Sequence, residues 1–170
     1  DQQIREMQSE RSELERELYL QALHKTASMS LIQYEVSNFA KADFQSRSNL
    51  KVWDGQPYLG LGCGAHSFDG VNRWGNVRSM RKYMESVERE EPPRDFMETP
   101  TRLQQASERL MLSLRRPEGL NILSWQEEFQ IGLSLEQKNQ MEKLKDQDLV
   151  SWESPILKLT TEGMLLADAI

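Results

Sequence analysis

Cysteine is almost missing from this chain: Cys63 is the only one in 170 residues. A single thiol closes no intrachain disulfide, which agrees with a reducing compartment. Nor can it hold an iron–sulfur cluster, which takes several Cys thiolates, usually from one short run. Long apolar runs are also missing. None approaches the roughly 20 residues that span a bilayer, and no signal-peptide pattern opens the sequence, so a cytosolic or organelle-matrix setting is expected. Excess positive charge is missing too: the formal net charge is −6 and the pI is near 5.1. No overall field draws phosphates to such a chain, so nucleic acid is not an expected partner.

What is present suffices for one domain or two small ones. The chain is 38% hydrophobic and 28% charged, which is enough for a core under a polar surface. Leu14, Leu18, Ala22 and Leu23 recur at helical spacing in a segment rich in Glu, Arg and Gln, predicting a surface helix with one apolar side. Leu31 to Val36 is then a short β-rich run. Residues 41–57 are polar and carry Asp54-Gly55 and Pro57, which predict a loop. Leu59 to Gly64 reads as a second strand with glycines at alternate positions, and Arg78 to Arg89 as a helix.

Glu90-Glu91-Pro92-Pro93 is the best linker, so we place a boundary between an α/β piece, 1–91, and a mainly helical, winged-helix-like piece, 92–170. In the latter, Thr99-Pro100 predicts a helix start. Ser124 with Glu127, and Ser134 with Gln137, fit the capping box. Leu149 to Trp152 and Ile156 to Leu159 predict a hairpin, and Thr161 a cap for a last helix. Leu110, Leu114, Leu144, Leu149, Leu159 and Leu165 are expected to share a core. A winged helix invites a DNA-binding reading, but Lys138, Lys143 and Lys145 are offset by Glu136, Glu142 and Asp146. That leaves no net positive charge for a phosphate backbone.

Two segments carry most of the functional signal: Tyr34-Glu-Val-Ser-Asn-Phe-Ala40 and Tyr58-Leu-Gly-Leu-Gly-Cys-Gly-Ala-His-Ser67. Strand alternation would place Glu35 and Ser37 on one face and Tyr34, Val36 and Asn38 on the other. Polar residues at a strand end can line a site, as they do at the C-terminal ends of barrel strands, or simply close a hydrogen-bonded terminus. The glycines of 60–64 allow close backbone approach. They do not form a dinucleotide fingerprint, because the third glycine comes too early and Phe68-Asp69-Gly70 reads as a turn where a helix should begin. Taken alone, Cys63 reads as a small buried residue and His66 as a hydrogen-bonded structural histidine, although imidazole also ligates haem iron.

These segments, with Glu118-Gly119-Leu120, Leu159-Thr160-Thr161-Glu162-Gly163 and Leu165-Leu166-Ala167-Asp168, resemble the oxygen-independent coproporphyrinogen III oxidase-like radical S-adenosylmethionine (SAM) proteins. Within them, the resemblance is to the haem-chaperone branch, HemW. It runs from about Leu14 to the C-terminus and matches the C-terminal half of such proteins. It implies a partial radical SAM (β/α) barrel segment followed by the winged-helix-like domain. It also implies SAM and a [4Fe–4S] cluster as cofactors of the complete protein, with the cluster's Cys-x3-Cys-x2-Cys loop outside this chain. A start at Asp1 suits a fragment, and no activity is expected of the chain alone.

The resemblance further implies a substrate and SAM cavity lined by Glu35, Ser37, Asn38, Gly62, Gly64 and His66. The haem-chaperone branch carries a His-Asn-x-x-Tyr-Trp motif implicated in haem binding; here it reads Ser48-Asn49-Leu50-Lys51-Val52-Trp53. Asn49 and Trp53 are kept, whereas the histidine is Ser48 and the tyrosine is Val52. A serine hydroxyl is not a usual iron ligand, so a haem or porphyrin ligand would need His66, His24 or Cys63 at the iron, or would have no ligand here. Haem-accepting proteins are the implied partners.

Overall fold

A computed structural model describes the backbone of residues 2–168 and the side chains of residues 13–168. In chain order the elements are α1 (Gln2–Ser28), β1 (Ile32–Glu35), β2 (Asn38–Ala40), α2 (Arg47–Trp53), β3 (His66–Phe68), β4 (Arg73–Asn76), α3 (Met80–Glu88) and β5 (Arg94–Glu98). They are followed by α4 (Arg102–Leu114), β6 (Leu120–Asn121), α5 (Ile122–Phe129), α6 (Leu135–Asp146), β7 (Val150–Glu153), β8 (Ile156–Leu159) and α7 (Thr161–Leu165). The result is a mixed α/β chain whose second half runs helix, strand, helix, helix, strand, strand, helix; the three helices, hairpin and final helix expected are there, with the short β6 added and paired to β8. No described helix is long and apolar enough to cross a membrane.

Contacts divide the chain into two compact units. The first holds the residues up to Gln45, Leu114–Ile122 and those from Leu133 onward. Its core is the antiparallel sheet β6-β8-β7, in which Leu120 faces Leu157 and Val150 faces Leu159. Leu120, Val150, Leu157, Leu159, Met164 and Ala167 are buried, whereas Leu114, Leu144, Leu149 and Leu165 are half-buried and Leu110 belongs to the other unit. The six-leucine core predicted from sequence is therefore corrected to one built on the strands and the final helix. Ser134 and Gln137 close the capping box of α6, as predicted. The last helix is capped by Thr160 rather than Thr161: its hydroxyl accepts from the Gly163 amide at 3.0 Å. The helix packs tightly because Gly163 lies against the Leu149 carbonyl, where a Cβ would collide.

In the same unit, β1 and β2 form an antiparallel hairpin with an irregular register between Gln33 and Glu35. The irregularity defeats simple alternation: Tyr34 and Glu35 are both buried, while Ser37 and Asn38 are exposed. Along α1, the predicted apolar stripe is not covered, since Leu14 and Leu18 are both more than half exposed. Tyr19 instead accepts a hydrogen bond from Gln33 Nε2 at 2.9 Å.

The second unit comprises Ser46–Ser113 and Leu123–Gly132, with the antiparallel sheet β3-β4-β5. The division expected at residues 91 and 92 falls inside it. The Pro93 carbonyl accepts from the Val77 amide at 2.8 Å, and β5 continues directly into pairing with β4. The predicted loop 41–57 contains α2, because Ser46 caps it by accepting from the Asn49 amide. The predicted strand 59–64 is a turn instead, as described below. Thr99 gives way to Thr101 at the start of α4, where Thr101 and Gln104 exchange the reciprocal bonds of a capping box. Ser124 lies within α5 and not at its cap. Trp125 is buried and donates from Nε1 to the Ala106 carbonyl at 2.9 Å, tying α5 to α4.

Candidate functional site

The motif-bearing helix α2 is short and sharply stopped. The Asp54 amide donates to the Leu50 carbonyl and the Gly55 amide to the Val52 carbonyl, and Gly55 at φ +64° reverses the chain. Ser48 and Val52 lie four residues apart, hence on one side of the helix. In the β3–β4 hairpin, His66 pairs with Gly75, Ser67 with Trp74 and Phe68 with Arg73. Alternation then sends His66 and Phe68 to one face and Ser67 to the other.

That first face, the end of α2 and one side of α4 enclose a cleft of about 290 Å³, lined by Val52, Gly55, Tyr58, His66, Phe68, Arg73, Glu108, Met111 and Leu112. Its walls are mainly apolar, with one imidazole and one ion pair. Arg73 donates to and pairs with Glu108. Its cross-strand partner Glu98 stands 3.7 Å away. The hydrogen bond to Glu108, with the charges of Glu108 and Glu98, raises the Arg73 guanidinium above its ordinary value despite opposing desolvation. His66 leans edge-on against Phe96, with centroids 5.5 Å apart. A smaller cleft of about 210 Å³ shares Gly55, Phe68, Glu108 and Leu112 with the first and adds Arg109, whose guanidinium donates to the Asp54 carbonyl.

The glycine segment is built by polar anchors. Gly62 and Gly64 hold φ of +101° and +69°, a backbone region that side chains rarely occupy, so the segment turns rather than extends. Ser67, fully buried, accepts from the Gly60 amide at 2.9 Å. The Asn76 amide group donates to the Gly62 carbonyl at 2.9 Å, and the Tyr83 hydroxyl accepts from the Gly62 amide at 3.1 Å. Open space surrounds the position a Gly62 Cβ would take, and Leu59 and Leu61 are largely exposed.

The predicted site residues separate accordingly. Glu35, Ser37 and Asn38 belong to the first unit and Asn49, Trp53, Gly62, Gly64 and His66 to the second. Glu35 Oε1 accepts from the Ser37 amide at 3.2 Å. Asn49 and Trp53 are half-buried on α2. His66 is in the cleft wall with Val52, the position of the motif tyrosine. Gly62 and Gly64 do not line that cleft; the nearest atom to a Gly64 Cβ would be Arg78 Cγ. Sequence reasoning missed Tyr58, Phe68, Arg73, Glu108, Met111 and Leu112. The signal available for Phe68 and Arg73 was their position either side of Asp69-Gly70, which the turn reading already implied. Among the described residues no group of three His, Cys, Asp or Glu could hold a metal, and with Cys63 as the sole cysteine the donor set does not fit a [4Fe–4S] cluster.

No family model matches the chain. The haem chaperone HemW of Bacillus subtilis is 31% identical over 159 residues, covering 93% of this chain and 42% of that protein. The mitochondrial radical S-adenosyl methionine domain-containing protein 1 of Danio rerio is 29% identical over 150 residues, covering 81% of this chain and 34% of its own length. In fold, the chain matches the Escherichia coli coproporphyrinogen III oxidase HemN, described as a radical SAM enzyme, with a TM-score of 0.68 at 16% identity, over 88% of this chain and 38% of that one. The chain is thus similar in sequence to HemW haem chaperones and in fold to HemN, and it spans about two fifths of the length of these two proteins.

Proposed function

We propose that this chain is the porphyrin-facing portion of a HemW-like haem chaperone, acting in haem trafficking in the cytoplasm, or in a mitochondrial matrix, when combined with the cluster-bearing portion such proteins carry. The observation that carries the reading is that His66 and Val52, the latter at the motif-tyrosine position, share one largely apolar cleft. Ser48, at the motif-histidine position, stands one helical turn before Val52. An exposed imidazole on an apolar wall fits a haem iron; a serine hydroxyl does not. When bound, haem would supply the iron for axial ligation. The chain's own contribution is His66 as ligand and apolar contact from Val52, Phe68, Met111 and Leu112. We further propose that Glu35, Ser37, Asn38, Gly62 and Gly64 serve SAM or substrate in the complete protein, with the open side of Gly62 allowing close backbone approach, and that Asn49 and Trp53 support the α2 motif. The fold likeness to HemN supports a second reading, oxidative decarboxylation of porphyrinogen propionates in the complete protein.

Haemin titration followed at the Soret band tests the first reading. Wild type should bind weakly, His66→Ala more weakly still, and Ser48→His with Val52→Tyr should gain affinity. Tight wild-type binding indifferent to His66 would overturn the ligand assignment.

A further inference from the structure

The cleft's ion pair has a shape that the haem reading does not use. Among the described residues Arg73 is the only Lys or Arg lining the 290 Å³ cleft, and it sits opposite Phe68 in the hairpin register, at the edge of the wall that carries His66. Two carboxylates hold it, and they differ in kind. Glu98 lies across the strand pair, on β5; its side chain is more than half exposed and stands 3.7 Å from the guanidinium, without a close hydrogen bond. Glu108 comes from α4, makes the close bond to Nη2, and keeps about a third of its side chain exposed. A partly exposed carboxylate can turn to water at little desolvation cost, whereas a fully buried one cannot. Losing Glu108 would leave Arg73 with Glu98 as its nearby carboxylate.

We propose that Arg73 is the carboxylate-reading residue of this cleft. An amphipathic porphyrin bearing propionates would place one carboxylate on Arg73 in exchange for Glu108, with its apolar body against Phe68, Met111 and Leu112. The inference rests on the porphyrin reading above and names the polar group that reading lacks. The planar guanidinium can donate two parallel bonds to a carboxylate, so the exchange replaces the single hydrogen bond to Glu108 with a two-bond pairing. Glu108 then acts as an internal competitor that lets diacids in and gives an esterified porphyrin no advantage.

The test is fluorescence titration of metal-free mesoporphyrin IX and of its dimethyl ester, which removes the iron–His66 bond from the measurement. Wild type should bind the diacid more tightly than the diester by roughly 10-fold or more, the range of a charge-assisted hydrogen bond. Glu108→Gln should tighten the diacid several-fold and leave the diester unchanged. Arg73→Gln should bring the diacid down to the diester. Equal binding of diacid and diester by wild type, a comparison that needs no variant, would overturn the role of Arg73 while leaving the cleft as a porphyrin site. Binding of neither compound would overturn this inference, and haemin binding that then persists would leave the haem reading resting on His66 alone.

Discussion

The sheet β6-β8-β7 and the sheet β3-β4-β5 have three antiparallel strands each, yet they are held by opposite means. The first carries an apolar core: Leu157 is 1% exposed, and Leu120, Val150, Leu159 and Met164 are buried as well. In the second, the buried residues are Ser67, Asn76 and the glycine Gly75, so its buried side chains are polar, and every side chain of β5 is exposed. Apolar burial stabilises without regard to direction. Buried polar groups must find partners, and here those partners are the backbone groups of the glycine turn. The first sheet is therefore built for stability, and the second for positioning a segment of backbone and the cleft on its other face.

Breaking the first sheet should have the largest effect. Leu157→Ala removes a fully buried side chain and should cost roughly 2–5 kcal/mol, read as a lower urea midpoint with an unchanged slope. Gly163→Ala should also destabilise, because its Cβ would meet the Leu149 carbonyl. A loss of less than about 1 kcal/mol for Leu157→Ala would show that this core can collapse around the gap.

The same difference decides what could be read from sequence. The hairpin β7–β8, the capping box of α6 and the strand at Leu31 to Val36 were legible because each is local, set by periodicity or by a three-residue cap. Both sheets also contain pairings that no local pattern carries, such as Leu120 with Leu157. Alternation failed at Tyr34 and Glu35 because the register slips between Gln33 and Glu35. Glycine spacing at 60–64 imitated a strand, and only the positive φ of Gly62 and Gly64 shows a turn. Of the site, His66 was visible as a rare residue type. Arg73 and Glu108 were not, because 35 residues separate them and surface-type residues carry no periodic signal.

The second sheet is sharpened by a smaller change. Asn76→Ala deletes the bond to the Gly62 carbonyl at 2.9 Å and the longer one to Gly60 at 3.4 Å, which should cost roughly 1–3 kcal/mol. If the turn is positioned by polar anchors, the loss should be local: faster amide exchange at residues 60–65, with the exchange of β7 and β8 unchanged. Uniform acceleration across both sheets would show that the anchors stabilise the whole fold rather than the turn.

The smallest effects are electrostatic, and each unit supplies one. Glu162 has its carboxyl held below the ordinary range, first by the hydrogen bond from Arg16 and then by that residue's charge, against opposing desolvation. Asp69 is lowered chiefly by the backbone amides of Asn72 and Val71, at 2.6 and 2.8 Å. Both folded values lie below the unfolded ones, so each group's contribution is present above the unfolded pKa of about 4 and is lost as pH falls through the folded value. Salt should separate them. The Arg16–Glu162 pair is exposed and screened, so a carboxyl titration by NMR should find the Glu162 value moving back toward normal in molar salt. Asp69, held by backbone amides within its own turn, should stay low. Equal salt responses at the two carboxylates would mean that charge, and not the turn's amides, depresses Asp69.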